Sequence, residues 1–289
     1  MKKTVAVFFG GRSTEHDISI ITAISSVIKP LELTKKYVVI PVYITRTGKW
    51  ICDKSLTDIK TFQSNKIDTL IGKAKSLSVS FDGGFTINKK RIDIAFPAMH
   101  GPYGEDGSLM GLLRMAGIPF VGSDMDASVI AMDKVLTKQV VVASGIPTSD
   151  FYSFSKHQFA SNGAAIIKII ETRLRYPLFV KPAHLGSSIG ITKVKTQTEL
   201  QNAIEVAAYY DNKIIVEEAV ENLIEVTVPI IGNDVLTPAL VERPLSKGDG
   251  VFDFDTKYIN GGGKKGSAKQ GGAQGYSELP AKLSSELYN

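Results

Sequence analysis

With 289 residues, 43% hydrophobic and 22% charged, the chain has an ordinary globular composition and room for roughly two domains of ~150 residues each. Its net charge of +5 is spread without any long block of like charges, so it suits a small anionic ligand better than a nucleic acid. The single cysteine, Cys52, excludes a disulfide within the chain, and no apolar run approaches the ~20 residues of a membrane span.

The opening "MKKTVAVFFGG" imitates a signal peptide only briefly, because the apolar run from Val5 to Phe9 is short and "GRSTEHD" follows at once. It reads as a first strand, and a cytoplasmic setting is expected. Thr14 and Asp17 form a capping-box pattern that predicts a helix through about Ile28. "YVVIPVYIT" is a second strand, and "LSVSFDGGFTIN" a hairpin with Asp82-Gly83 in its turn. "RIDIAFPAMH" is a strand containing Asp93 and ending in His100; "GSLMGLLRMAG" is a helix stopped by Gly117 and Pro119. Strands separated by helices predict a mostly parallel sheet with ligands near the strand C-terminal ends.

A second unit begins near Gly122. Asp133 is placed to cap the helix "KVLTKQVVVASG", which Gly145 and Pro147 end. There follow the strand "YPLFVKP", a loop of small residues, the strand "GITKVKT", a helix capped by Thr198, and the strand "KIIVEEAV". "EVTVPIIG" and "DVLTPALVE" read as an antiparallel pair around Gly232-Asn233, a change from crossovers to a meander that marks a new layer. The Gly/Lys-rich stretch 261–275 cannot build a core.

Candidate functional residues stand at the ends of these elements. In "KPAHLGSSIG", Lys181 meets a loop of Gly186, Ser187, Ser188 and Gly190, whose N–H and hydroxyl groups suit an anion; a solvated hairpin is the plain alternative. Glu15 follows the Gly10-Gly11 turn, which lacks G-x-G-x-x-G spacing, so it is either a ligand group or a first-turn carboxylate worth about 0.3–1 kcal/mol. His100 opens a polar turn and could equally be structural. Lys134, at a helix start, has the wrong sign for the helix dipole, which suggests either an anion held between it and the helix amides or a solvated side chain. Glu217, Glu218 and Glu225 form either an acidic edge or a surface for a base and a ribose. The P-loop pattern fails because Ser267 stands where its lysine belongs, and one cysteine with four scattered histidines gives no zinc spacing.

The segments "FFGGRSTEHDIS", "HGPYGEDGSLMGLL", "GIPFVGSDMDASVIAMDK", "YPLFVKPAHLGSSIG" and "VFDFDTKY" stand in the order and spacing of the D-alanine–D-alanine ligases, which the chain resembles along essentially its whole length. The resemblance implies an α/β fold of the ATP-grasp superfamily. Its parts would be a Rossmann-like N-terminal domain (1–122), a small central α/β domain (123–216) and an incomplete C-terminal α/β domain (217–289). It implies that ATP phosphorylates one D-alanine, and that the amine of a second attacks the acyl phosphate, giving the dipeptide of peptidoglycan. Lys134 and Lys181 would neutralise phosphates, and the loop with Ser187 and Ser188 would close as a lid that keeps water out. Glu15 would hold the first substrate's ammonium, in a network with Ser187 and Tyr258, and His100 would lie beside that substrate. Glu217, Glu218, Ala219 and Val220 would line the adenine, Glu225 the ribose, and Lys257 the transferred phosphate. Tyr258 favours an amine nucleophile over D-lactate, with D-serine left open as second substrate.

The family also implies magnesium, or manganese in its place, held by "R-[IVL]-D" and "N-E-[VA]-N" strands that this sequence does not contain. Glu278 and Glu286 do not belong to such strands. The expectation is therefore a ligase lacking its C-terminal part and weak or inactive as given, with the apolar face of Val226, Val228 and Ile230 uncovered. A non-catalytic remnant that binds nucleotide or amino acid is the alternative. The expected partners are small molecules and, since the family commonly forms dimers, a second copy of the chain, not nucleic acid or membrane.

Overall fold

The computed structural model describes residues 2–74, 77–80, 85–244 and 277–284. Strand β1 (Lys3–Gly10) is buried on both faces from Val5 onward, as its unbroken apolar run requires of a central parallel strand. It leads through the Gly10-Gly11 turn into α1 (His16–Thr22), a π-helical turn (Ala23–Ile28) and α2 (Lys29–Leu33). The capping box expected of Thr14 and Asp17 does not form. Glu15 stands at the N-cap without a side-chain cap bond, and Ser13 Oγ accepts from the Glu15 amide at 3.0 Å. The two glycines, at φ 87° and 97°, turn the chain so that Ser13 rather than Thr14 meets that amide.

Strand β2 (Tyr37–Ile44), the short β3 (Trp50–Ile51) and α3 (Lys66–Lys73) follow. A small antiparallel sheet comes next, of β4 (Val79–Ser80), β5 (Thr86–Ile87) and β6 (Lys90–Arg91), with Val79 opposite Ile87. The hairpin is thus present, though Asp82 and Gly83 lie outside the described residues. Strand β7 (Ile94–Pro97) and α4 (Ser108–Met115) complete the unit. The first sheet has the order β3-β2-β1-β7, with β1 parallel to both β2 and β7, as the alternation of strands and helices predicted.

After α5 (Met125–Met132), Asp133 caps α6 (Lys134–Ala143), accepting from the amides of Val135 and Leu136 at 2.9 and 3.2 Å. Strand β8 (Phe151–Ser155) and the long helix α7 (Lys156–Arg173), kinked at Asn162, have no counterpart in the sequence expectations. Strands β9 (Leu178–Pro182) and β10 (Thr192–Val194), helix α8 (Gln197–Tyr210) and β11 (Lys213–Glu218) follow. The cap of α8 is Thr196, not Thr198, because Thr196 is the last extended residue (φ −138°, ψ 160°) and its side chain accepts from Glu199.

This second sheet, β10-β9-β11-β8, is antiparallel throughout, not a crossover sheet, because the small-residue loop folds β10 straight back on β9. Helices α7 and α8 cover one face with Ile166, Ile170, Leu200 and Ile204, which pack on Leu178, Val180, Ile214 and Val216. The pleat then decides the site. Leu178 and Val180 enter this core, so Phe179 and Lys181 face the other way.

Beyond β11, β12 (Ile230–Gly232) and β13 (Leu236–Pro238) pair antiparallel, with the turn between Gly232 and Leu236. Strands β14 (Arg243–Pro244) and β15 (Ser277–Glu278) pair as well. Val226, Val228 and Ile230 are exposed.

Candidate active site

Glu15 is only 4% exposed, at the C-terminal end of the β1–α1 turn. Its Oε1 accepts the hydroxyl of Ser187 from the loop between β9 and β10. Its Oε2 is buried with no hydrogen-bond partner among the described residues. Two glycines press on this carboxylate. A Cβ on Gly101 (φ 70°) would lie 2.5 Å from Oε2, and one on Gly186 would lie 3.3 Å from it. A buried acceptor left unpaired costs about 1–3 kcal/mol or more when charged, so the arrangement suits a small cationic donor.

His16 builds the turn that carries Glu15, and sequence reasoning missed it. Burial lowers its pKa, so the ring is neutral; Nδ1 donates to the Gly11 carbonyl at 2.6 Å and Nε2 pairs with the Tyr43 hydroxyl at 3.0 Å. His100 hydrogen-bonds through Nε2 to Thr22 Oγ1 at 3.0 Å. Its neighbour Gly101 donates its amide to Glu105 Oε2 at 2.8 Å, closing the "HGPYGEDG" turn beside Glu15.

The loop after β9 turns sharply. Ser187 and Ser188 have φ 51° and 59°, and Gly190 has φ 72° with no room for a Cβ, which would lie 2.7 Å from Pro182 Cγ. Gly186 to Gly190 also carries G-x-S-x-G spacing. That pattern marks a nucleophile only on a strand-to-helix elbow, and here it joins antiparallel strands.

Lys134 does not hold an anion against the helix amides, since Asp133 already takes those of Val135 and Leu136. Its amide donates to Ala183 O at 3.1 Å, and its ammonium reaches the carbonyls of Leu185 and Ala183, bracing the loop from below. Burial, with Lys181 nearby, lowers its pKa.

Lys181 pairs with Glu217, which also meets Lys138 Nζ at 3.1 Å. Burial works to raise the Glu217 pKa, but the two lysines carry it below the ordinary value. Lys138 was not foreseen, although its place one turn after Lys134 on α6 was a usable signal. His184 donates its amide to Asp211 at 2.8 Å, and its ring meets Asp211 at 2.9 Å and Asp133 at 3.2 Å.

The remaining candidates are spread out. Glu218 accepts the Arg175 amide at 2.7 Å, and the Ala219 amide donates to Pro177 O at 3.0 Å. Val220 and Glu225 are exposed on the segment after β11. Lys257, Tyr258, Glu286 and the 261–275 stretch lie outside the described residues.

Comparison with known proteins decides what this arrangement belongs to. Residues 4–123 match the family model described as D-ala D-ala ligase N-terminus, and residues 140–272 match that of D-ala D-ala ligase C-terminus. The chain belongs to the D-alanine–D-alanine ligase family. It is 38% identical over 269 residues to the D-alanine–D-alanine ligase of Chloroherpeton thalassium, covering 90% of this chain and 72% of that one. With the ligase of Clostridium novyi the identity is 36%, over 99% of this chain and 77% of the relative. Among solved structures, the D-Ala:D-Ser ligase of Enterococcus faecalis superposes with TM-score 0.76 at 32% identity, over 99% of this chain and 78% of that chain. The D-alanine–D-alanine ligase of Coxiella burnetii gives TM-score 0.71 at 30% identity, over 84% and 71%. The α/β architecture is therefore the ATP-grasp fold of the D-alanine ligases.

Among the described residues no group of three or more His, Cys, Asp or Glu could hold a metal ion, so they offer the divalent cation of the ligase family no ligand set. Glu278 accepts instead from the Lys282 amide at 2.9 Å. No helix among the described residues is long and apolar enough to cross a membrane.

Proposed function

We propose that this chain is an ATP-dependent ligase that joins two D-alanines into D-alanyl-D-alanine for peptidoglycan, in the cytoplasm. The observation that carries this reading is Glu15: a buried carboxylate with one oxygen held by Ser187 and the other without a partner among the described residues, bracketed by Gly101 and Gly186. An α-ammonium supplies the missing donor.

In the first step a carboxylate oxygen of D-alanine attacks the γ-phosphorus of ATP and ADP leaves. In the second, the amine of the other D-alanine attacks the acyl carbon; phosphate departs, and the nitrogen gives up a proton. Lys181 and Lys134 set positive charge beside the phosphates. Ser187 and Ser188 on the lid close over the acyl phosphate and exclude water. Glu217, Glu218, Ala219 and Val220 are assigned to the adenine and Glu225 to the ribose. Lys257 is assigned to the transferred phosphate, Tyr258 to the Glu15–Ser187 network, and His100 to the side of the first substrate. The divisions at 1–122, 123–216 and 217–289 and a homodimer belong to the same reading.

The test is phosphate release by the purified protein with ATP and magnesium, with and without D-alanine. D-alanine-dependent release together with the dipeptide supports the ligase. ATP-induced thermal stabilisation without release points instead to a non-catalytic binding protein. A second reading, D-serine as the second substrate, is favoured by the similarity to the D-Ala:D-Ser ligase. Product analysis with both amino acids present separates the two, and Tyr258→Phe with D-lactate added tests the preference for an amine.

A further inference from the structure

Glu217 lies on the face of the central sheet opposite α7 and α8, where Val135 of α6 packs on Ile215, and each of its oxygens meets a lysine: Oε1 that of Lys181 on β9, Oε2 that of Lys138 on α6. The two lysines are anchored differently. Lys138 Nζ also donates to Thr148 Oγ1 at 2.9 Å, Ser149 O at 2.9 Å and Ser149 Oγ at 2.8 Å, and it lies 5.3 Å from the Phe151 ring centroid. Its side chain is 12% exposed. Lys181 Nζ has Glu217 as its hydrogen-bond partner among the described residues and otherwise lies over the Phe179 ring, 5.3 Å from its centroid. One ammonium is fixed in place and the other can leave.

We propose that Lys138 is a positioning residue that stays with Glu217 as its counter-ion while Lys181 leaves for the phosphates of the nucleotide. The proposal rests on the ligase reading, in which Lys181 serves those phosphates. A buried carboxylate stripped of its only cation is strongly disfavoured, so a lone Lys181–Glu217 pair would resist opening. With Lys138 seated, Glu217 keeps a charged partner throughout, and its pull on Lys181 is partly cancelled. The lysine is thereby held in the cleft before nucleotide arrives and released when it does.

The experiment is calorimetric titration of ATP, and separately of adenosine, into the purified protein and its variants. Lys138→Met is expected to weaken ATP about tenfold more than adenosine, whose base shares Glu217 but which carries no phosphate for Lys181 to reach. Unchanged ATP affinity, or equal losses for ATP and adenosine, overturns the proposal, because a merely structural lysine would affect both ligands alike. In a Glu217→Gln background no charge needs a partner, so adding Lys138→Met should cost no further ATP affinity, and a further tenfold loss overturns the proposal. This pair also carries the test if Lys138→Met alone does not fold. A protein that binds no ATP, or whose ATP affinity is untouched by Lys181→Ala, instead overturns the nucleotide reading and the proposal with it.

Discussion

The hydroxyl of Ser187 donates to Oε1 of Glu15, a residue 172 positions earlier in the chain. One hydrogen bond therefore joins the loop of the central sheet to the first turn of the N-terminal unit. The same contact uses one acceptor of Glu15 and leaves the other buried without a hydrogen-bond partner among the described residues.

Glu15→Gln should remove the negative charge while keeping the shape. A hydrogen bond to a charged group is worth about 1.5–3 kcal/mol, so D-alanine affinity should fall about 10- to 100-fold. Calorimetry with D-alanine measures it directly, and an unaltered affinity would remove Glu15 from the substrate site.

Gly101→Ala combines two conflicts, a left-handed backbone at φ 70° and a Cβ 2.5 Å from both Glu15 Oε2 and Ser13 Oγ. The substitution should cost about 1–3 kcal/mol of stability and displace Glu15, which neither conflict elsewhere on the surface would do. Urea unfolding and D-alanine titration on one sample read the two effects; normal values for both would contradict the close packing.

Asp133 caps α6 and also receives Lys213 Nζ at 2.6 Å. Asp133→Ala should lose the cap, about 0.5–2 kcal/mol, and leave Lys213 without that partner. Asp133→Asn keeps an acceptor for the amides and should recover most of the cap energy. Equal denaturant midpoints for the two variants would show that the cap contributes nothing.

His184 supplies a pH signature. Its hydrogen bond to Asp211 raises its pKa above 6.5 despite the opposing effect of burial. A raised folded-state pKa contributes stability that is fully present below the unfolded value and is lost as pH rises through the folded one. The thermal-midpoint gap between the native protein and His184→Gln should therefore be widest near pH ~5–6 and close toward pH ~8. At lower pH, Asp211 and Asp133, both with depressed pKa values, begin to protonate and the gap narrows again. The ring is 45% exposed, so solvent screens the effect. A gap that widens with rising pH would contradict the pairing.

Much of this was legible in the sequence because it depends on local rules. The Asp133 cap follows from its position before an apolar helix, and the orientation of Lys181 from strand alternation. Glu15 was found from the glycine turn before it. Helix α7 escaped because its buried Ile166, Ile167 and Ile170 all follow the kink at Asn162, leaving no sustained period over the whole helix. The β9–β10 pairing was legible as the hairpin alternative, whereas the antiparallel pairings of β11 with β8 and β9 were missed because strands separated by helices read as crossover units and β8 was not recognised. Gly101 matters through a tertiary contact to Glu15 that no spacing encodes, whereas Lys138 carried a helical-spacing signal from Lys134 but not its partner Glu217. The bracing of the Leu185 and Ala183 carbonyls by Lys134 is likewise a tertiary contact that its place at a helix start does not reveal.

The alternation in β9 makes residue count as important as residue type. Leu178 and Val180 belong to the core, whereas Lys181 belongs to the cleft, and the difference is one of odd against even. Inserting or deleting a single residue in this strand would exchange the two sets, driving an ammonium toward Leu200 and Ile204 and a valine into the cleft. The strand can therefore change its letters but not its length, and a reading-frame-preserving codon deletion here should be more damaging than any conservative substitution.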